Sequence, residues 1–384
     1  MEKIKNFATI IVFALIILGL SVGFILTPDN ARSYTERRLL AQRPELTWER
    51  VLNRAFIDDF EEYLQDQFVW REDFRMINAL TRRYILQKND YEGYYLVGSW
   101  QNGHLAQMEY RLNFDEVREF FGIFNHVYSQ FLSGMNVNFA MIPDKNYFLA
   151  QENGFLALDY ANMRRGLENN LNANINHINL FDILSLDDFY RTDIHWRQAA
   201  LLPTAQHLTD SMGGEFRFTN YQSNTISPFY GSFHGPVALP IRPDEMTYLT
   251  NDFTENATVW LHDLVLDESG NWVPTKTQAS GVYARHLFER ETNLDSFDMF
   301  LYGAQPLITI EVENPTTDRE LIVFRDSFGS NLTPLLLESY AKITLVDLRY
   351  MAGRTLPQFI DFNSQDVLIL YSAPMINRGG LLIW

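Results

Sequence analysis

Two short segments carry side chains able to activate a nucleophile. Thr192-Asp193-Ile194-His195-Trp196 sets a carboxylate two residues before an imidazole, and Arg325-Asp326-Ser327-Phe328-Gly329 sets a serine after the apolar run 321–324. A carboxylate, an imidazole and a hydroxyl are the parts that turn serine into an acyl-accepting nucleophile. From a loop, Asp193 can turn back to the His195 Nδ1–H and leave Nε2 as the base. Ser327 follows a strand pattern and precedes a helical one, the place where parallel sheets collect ligands. Backbone N–H groups at that helix start would face a developing oxyanion, and Gly329 would allow a tight turn. Each segment also has a plainer reading: Asp326-Ser327 as a helix cap, and Asp193 as an N-cap with His195 merely packed.

Composition removes the competing chemistries. The 384 residues include no cysteine, which excludes disulfides, thiolate metal sites and cysteine nucleophiles. No HExxH or other His-rich spacing suggests a metal, and no Walker loop or G-x-G-x-x-G fingerprint suggests a nucleotide; no cofactor is expected. A net charge of −17 argues against nucleic-acid binding. Aromatic residues reach 14%, enough for a large aromatic core or for sugar stacking. Trp196, Trp260 and Trp272 are candidates for either use.

The elements that must position these groups begin with an anchor. Residues 7–26 are apolar apart from Thr9 and Ser21, and Lys3 and Lys5 precede them. Twenty helical residues span about 30 Å, a bilayer's hydrocarbon thickness. The charge bias puts the N-terminus in the cytoplasm and the bulk of the chain outside. A cleaved signal peptide is the rival, but the run ends Phe24-Ile25-Leu26-Thr27-Pro28, without a small-x-small site. The expected domains are therefore an anchor at 1–27, a linker and helical neck at 28–90, and a catalytic domain at 91–384. In the neck, Phe56, Phe60, Tyr63, Leu64 and Phe68 recur at helical spacing. Arg32, Arg37, Arg38 and Arg43 read as a solvated stretch beside the membrane.

From residue 91 onwards strands and helices alternate. Strands are expected at 137–142, 177–184, 321–324, 343–346 and 367–371, and helices at 114–132, 163–175, 198–212 and 331–340. That alternation predicts an α/β fold with a mostly parallel sheet covered on both faces. Residues 215–310 read as an elaborated insertion, within which 258–266 alternates like an antiparallel strand.

Asp193-Ile194-His195-Trp196 with Arg197-Gln198-Ala199-Ala200, and Arg325-Asp326-Ser327-Phe328-Gly329 about 130 residues later, resemble the DHHW family and the AlgX/AlgJ-like polysaccharide O-acetyltransferases of the SGNH-hydrolase superfamily. Phe229-Tyr230-Gly231-Ser232, residues 60–71 and Val346-Asp347-Leu348-Arg349-Tyr350 support the likeness, which runs from about residue 35 to the end. The resemblance implies a three-layer α/β/α sandwich outside the cytoplasm, with Asp and His preceding Ser in the chain. It implies Ser327 as nucleophile, His195 as base and acid, Asp193 as orienting carboxylate, and as oxyanion donors the amide of Ser327 with that of Gly231 or a neighbour. Ile194 stands where the family name has His, and its side chain should point away from the Asp–His pair. No separate carbohydrate-binding domain is read after Trp384, so the catalytic domain itself would grip a polymer. The implied activity is acetyl transfer to an exopolysaccharide or cell-wall polymer, with acetyl groups supplied by a membrane acyl-transfer protein. An acetylesterase using the same residues and a non-catalytic scaffold of a surface-polymer assembly are the alternatives. The scaffold predicts that Asp193, His195 and Ser327 lie too far apart to hydrogen-bond.

Overall fold

A computed structural model of the chain describes residues 2–217, 219–267, 269–270, 272–289 and 295–384. They form two compact units: residues 1–92 with 234–241, and 93–233 with 242–384. In the first, α1 (Glu2–Leu26) is a single 25-residue helix with a mean hydropathy of 2.8 over its most apolar window. It is long and apolar enough to cross a membrane, as a signal sequence would also be.

The neck is not one helix. After a short helical turn at Trp48–Leu52, helix α2 (Ala55–Asp66) stops before Trp70, whose backbone is left-handed (φ 57°), and α3 (Arg71–Leu80) begins beyond it. The arginine stretch is not wholly solvated. Arg38 donates to both oxygens of Asp66 at 2.8 and 2.5 Å and to Glu36 at 2.6 Å, and Arg71 also reaches Glu36 at 2.6 Å. Asp66 is buried, and a buried carboxylate needs paired donors to stay ionised. Those cations hold both the Asp66 and the Glu36 carboxyl below the usual range, against the opposing effect of burial, which is the largest influence on Glu36.

The second unit is built on one eight-stranded mixed sheet. Its strands are β1 (Asn136–Ile142), β2 (Asn176–Asn179), β3 (Thr258–Leu266), β4 (Trp272–Gln278), β5 (Leu307–Glu311), β6 (Glu320–Arg325), β7 (Lys342–Val346) and β8 (Asp366–Ser372). The spatial order is β4-β3-β5-β7-β6-β8-β1-β2. The run β7-β6-β8-β1-β2 is parallel, whereas β5, β3 and β4 add on antiparallel. The sheet is therefore mixed, with four parallel pairings and three antiparallel ones. The antiparallel strands come from the stretch read as an insertion and its margin, and they extend the sheet instead of standing apart from it.

Alternate residues of the central strands serve two cores. Leu321 and Val323 of β6 join one buried cluster with Leu208 of α6 (Leu202–Ser211) and Leu332 and Leu335 of α7 (Phe328–Leu336). Ile322 and Phe324 join the other, with Phe120 and Phe124 of α4 (Phe114–Val127) and Met163 of α5 (Tyr160–Asn170). A strand buried on both faces reads as an unbroken apolar run, which is why 321–324 and 367–371 stood out. All nine residues of α7 are buried, so the helix that follows Ser327 is held rigidly under the sheet's carboxyl edge.

Candidate active site

Ser327 sits two residues beyond β6, at the carboxyl end of a central parallel strand, and caps α7. The turn is fixed by Asp326. Its Oδ1 accepts the Phe328 N–H at 3.0 Å, and its Oδ2 accepts the N–H and hydroxyl of Ser372, at the end of β8, at 2.9 and 2.7 Å. Asp326 thus anchors the turn to the neighbouring strand. Gly329 differs from its expected role: it lies within α7, and a Cβ there would fall 2.7 Å from Cβ of Arg325. The missing side chain makes room for Arg325, which is fully buried and 3.6 Å from Asp347.

The two distant segments meet here. His195 Nε2 is 2.7 Å from Ser327 Oγ, and His195 Nδ1 is 2.6 Å from Asp193 Oδ1. An ionised carboxylate only accepts, so Nδ1 carries the proton and Nε2 is left to accept the serine hydroxyl. Asp193 Oδ1 also accepts the His195 backbone N–H at 2.9 Å, and Oδ2 accepts the Ser232 N–H at 2.7 Å. Asp193 is fully buried and His195 nearly so, while Ser327 is half-buried. Phe297 stacks on the imidazole at 3.8 Å with the rings 7° apart, and the Phe328 ring meets it tilted at 5.0 Å. These rings keep the imidazole in the plane that joins Asp193 to Ser327. Ile194 packs at the edge of the apolar core.

The loop bearing Asp193 is held from three sides. Asp244 accepts the Thr192 N–H and hydroxyl at 2.7 and 2.6 Å, and its other oxygen accepts two donors of Arg191. Gly231-Ser232-Phe233 runs alongside, with the Phe233 N–H donating to Thr192 O at 3.0 Å. Beyond His195, the Trp196 Nε1–H donates to Asn331 Oδ1 at 2.6 Å, and Asn331 Nδ2–H returns to Trp196 O at 2.9 Å. The imidazole loop and α7 are therefore held together by buried hydrogen bonds through the Asn331 side-chain amide.

Gly231 has a different place from the one expected. Its N–H donates to Thr192 Oγ1 at 3.1 Å, so it is engaged by the loop and is not an oxyanion donor. The Ser327 N–H, by contrast, donates to no acceptor among the described residues. Trp196 is fully buried and Trp260 half-buried beneath the Lys276 ammonium, whereas Trp272 is exposed on the edge strand β4. Phe297, Asp244 and Asn331 escaped sequence reasoning, since each acts as a lone side chain whose partner is distant in the chain, and no local pattern marks such a residue. Among the described residues no group of three or more His, Asp and Glu side chains is arranged to hold a metal.

Lys145 lies behind the site, fully buried, with Nζ donating to the carbonyls of Tyr190 and Arg191 at 3.0 and 3.2 Å. Burial pushes its pKa down to about 7, against the pull of Asp193, Asp244 and Asp144. A depressed pKa contributes stability that is complete above the unfolded value of 10.5 and lost as pH falls through about 7. Stability to denaturant should accordingly rise between pH 7 and 10, and Lys145→Met should flatten that rise. Parallel slopes for the two proteins would count against a buried, titrating Lys145.

No family model and no curated protein matches the chain. Solved structures do. A DHHW family protein from Eubacterium siraeum aligns with a TM-score of 0.59 and 20% identity, covering 76% of this chain and 96% of that one. PatB1 of Bacillus cereus aligns at 0.54 and 18%, covering 74% and 97%. The same protein with a sulfonyl adduct aligns at 0.55 and 16%, again covering 74% and 97%. At such identities the likeness is one of fold, and that fold is similar to the fold of a DHHW family protein.

Proposed function

We propose that this protein is a membrane-tethered, extracytoplasmic O-acetyltransferase acting on a sugar hydroxyl of an exopolysaccharide or cell-wall polymer. The observation that carries the reading is the unbroken relay Asp193–His195–Ser327, at 2.6 and 2.7 Å, at the carboxyl end of β6. In this reading the sheet and its two helical coverings are the α/β/α layers of an SGNH hydrolase.

Ser327 Oγ attacks the acetyl carbonyl while His195 Nε2 takes its proton, and Asp193 stabilises the imidazolium. The Ser327 N–H faces the oxyanion. The donor's leaving group departs with the proton from His195, leaving acetyl-Ser327. A sugar hydroxyl then gives its proton to His195 and attacks; collapse restores Ser327 and releases the acetylated sugar. With α1 crossing the bilayer and Lys3 and Lys5 inside, cytoplasmic acetyl-CoA is out of reach, and a membrane acyl-transfer protein supplies the acetyl group. If water replaces the sugar, the same residues give an acetylesterase. The scaffold reading required the three side chains to stay apart, and their separations speak against it.

The test uses the full-length protein in detergent with an activated acetyl ester, followed by intact mass spectrometry and peptide mapping. One acetyl group should appear on Ser327 and leave faster when sugar acceptors are added. Equal loss without sugar would favour the esterase. Absence of acetylation in folded protein would overturn both enzymatic readings. PatB1 has been solved with a sulfonyl adduct, and an aryl sulfonyl fluoride serves here as a second probe: Ser327 should be the labelled residue, and His195→Ala should suppress labelling.

A further inference from the structure

The neck shows an apolar stripe to solvent where a helix of a water-facing module would bury one. Trp70, Phe74 and Ile77, spaced four and three residues apart, are 63%, 46% and 53% exposed. Tyr84, Ile85 and Leu86 follow in the same state. Phe68 meets Phe74 at 5.8 Å between ring centroids, and the two share a shallow groove of about 560 Å³ with Leu64. Arg71 and Arg75 also line that groove and pair with Glu36 and Glu72, so paired charges border the apolar side chains. So many large apolar side chains exposed on one short segment mark a surface that meets something apolar.

Contacts with α1 say what that is. A methyl group placed on Gly23 would touch both methyls of Val69 at 3.5 Å, and Phe24 meets the Tyr63 ring edge-on at 5.7 Å. The Tyr63 hydroxyl donates to Asp29 at 2.9 Å, tying α2 to the chain just beyond α1. Gly23 precedes the end of α1 by three residues, about 4.5 Å along the axis. Val69, and with it Phe68 and Trp70 on either side, therefore lies level with the last turn of α1. In a membrane-spanning α1 that turn lies at the junction of hydrocarbon and headgroups, where Trp, Tyr and Phe are most stable.

We propose that residues 68–86 of the neck form an interfacial membrane segment, with Trp70, Phe74 and Ile77 seated in the lipid boundary at the C-terminal end of α1. This rests on the tethering reading above. The partner is the bilayer itself, because the same stripe begins at the depth that α1 imposes. A consequence is that the neck is fixed against the membrane surface rather than swinging on a flexible stalk.

The absence of cysteine allows single labels to test this. Leu18→Cys, Trp70→Cys and Phe74→Cys would each carry an environment-sensitive fluorophore in the full-length chain. The vesicles would be phosphatidylcholine–phosphatidylglycerol, with and without bromine high on the acyl chains. All three positions are exposed, so the fold should tolerate the labels. The expected result is quenching by the brominated lipid at Leu18, Trp70 and Phe74, with blue-shifted emission. Quenching at Leu18 with none at Trp70 and Phe74 would overturn the proposal while leaving the anchor intact, and would assign the stripe to a protein partner. An unquenched Leu18 would remove the tethering reading, and the proposal with it.

Discussion

Ser327→Ala should lower acetyl transfer by about 10⁴-fold or more while leaving the fold in place. The hydroxyl is the only atom lost, and it sits in a half-buried position where the change opens no large cavity. Turn geometry does not depend on it, because the Phe328 N–H is satisfied by Asp326 and not by Ser327. Thermal unfolding should therefore move little while turnover of an activated acetyl ester disappears. Asp193→Asn belongs to the same experiment, since an amide at that position disturbs the His195 tautomer and should cost a similar factor. Retention of full activity by the Ser327 variant would show that acyl transfer, if present, runs elsewhere.

Gly231→Ala should be nearly as damaging although Gly231 touches no reacting atom. A Cβ at that position would lie 2.3 Å from C and O of Thr192 and 2.4 Å from N of Asp193. These are backbone atoms, which have no rotamer to retreat into. The added methyl has to push the Asp193 loop away from Gly231-Ser232, breaking the Ser232 N–H bond to Asp193 Oδ2 and the Gly231 N–H bond to Thr192 Oγ1. Overpacking of this kind costs about 1–3 kcal/mol of stability. A displacement of about 1 Å at the Asp–His pair costs about 10²-fold in rate. Denaturant melts and ester turnover would be measured side by side. An unchanged melt with unchanged turnover would show that the close approach has no structural or catalytic weight.

Local pattern and residue chemistry made several parts of this protein readable from the chain alone. The apolar run of α1, the doubly buried strands β6 and β8, and the types Asp193, His195 and Ser327 in a usable order were all legible, because periodicity and functional groups survive in one dimension. The site's finer arrangement was not. The family resemblance implied Gly231 as an oxyanion donor; in the fold its amide meets Thr192. Gly329 looked like a turn residue, but its value is the space it leaves for Arg325. Arg38 looked solvated until the fold buried Asp66 beside it, and the pairing of β3, β4 and β5 along the sheet edge had no signal in the irregular stretch 215–310 beyond the alternation at 258–266. Phe297 stacks on an imidazole 102 residues away in the chain, a contact with no local signature. Tertiary structure decided these matters because a hydrogen bond, an ion pair or a ring stack is set by which groups long-range packing leaves facing each other, and residue spacing carries no record of that.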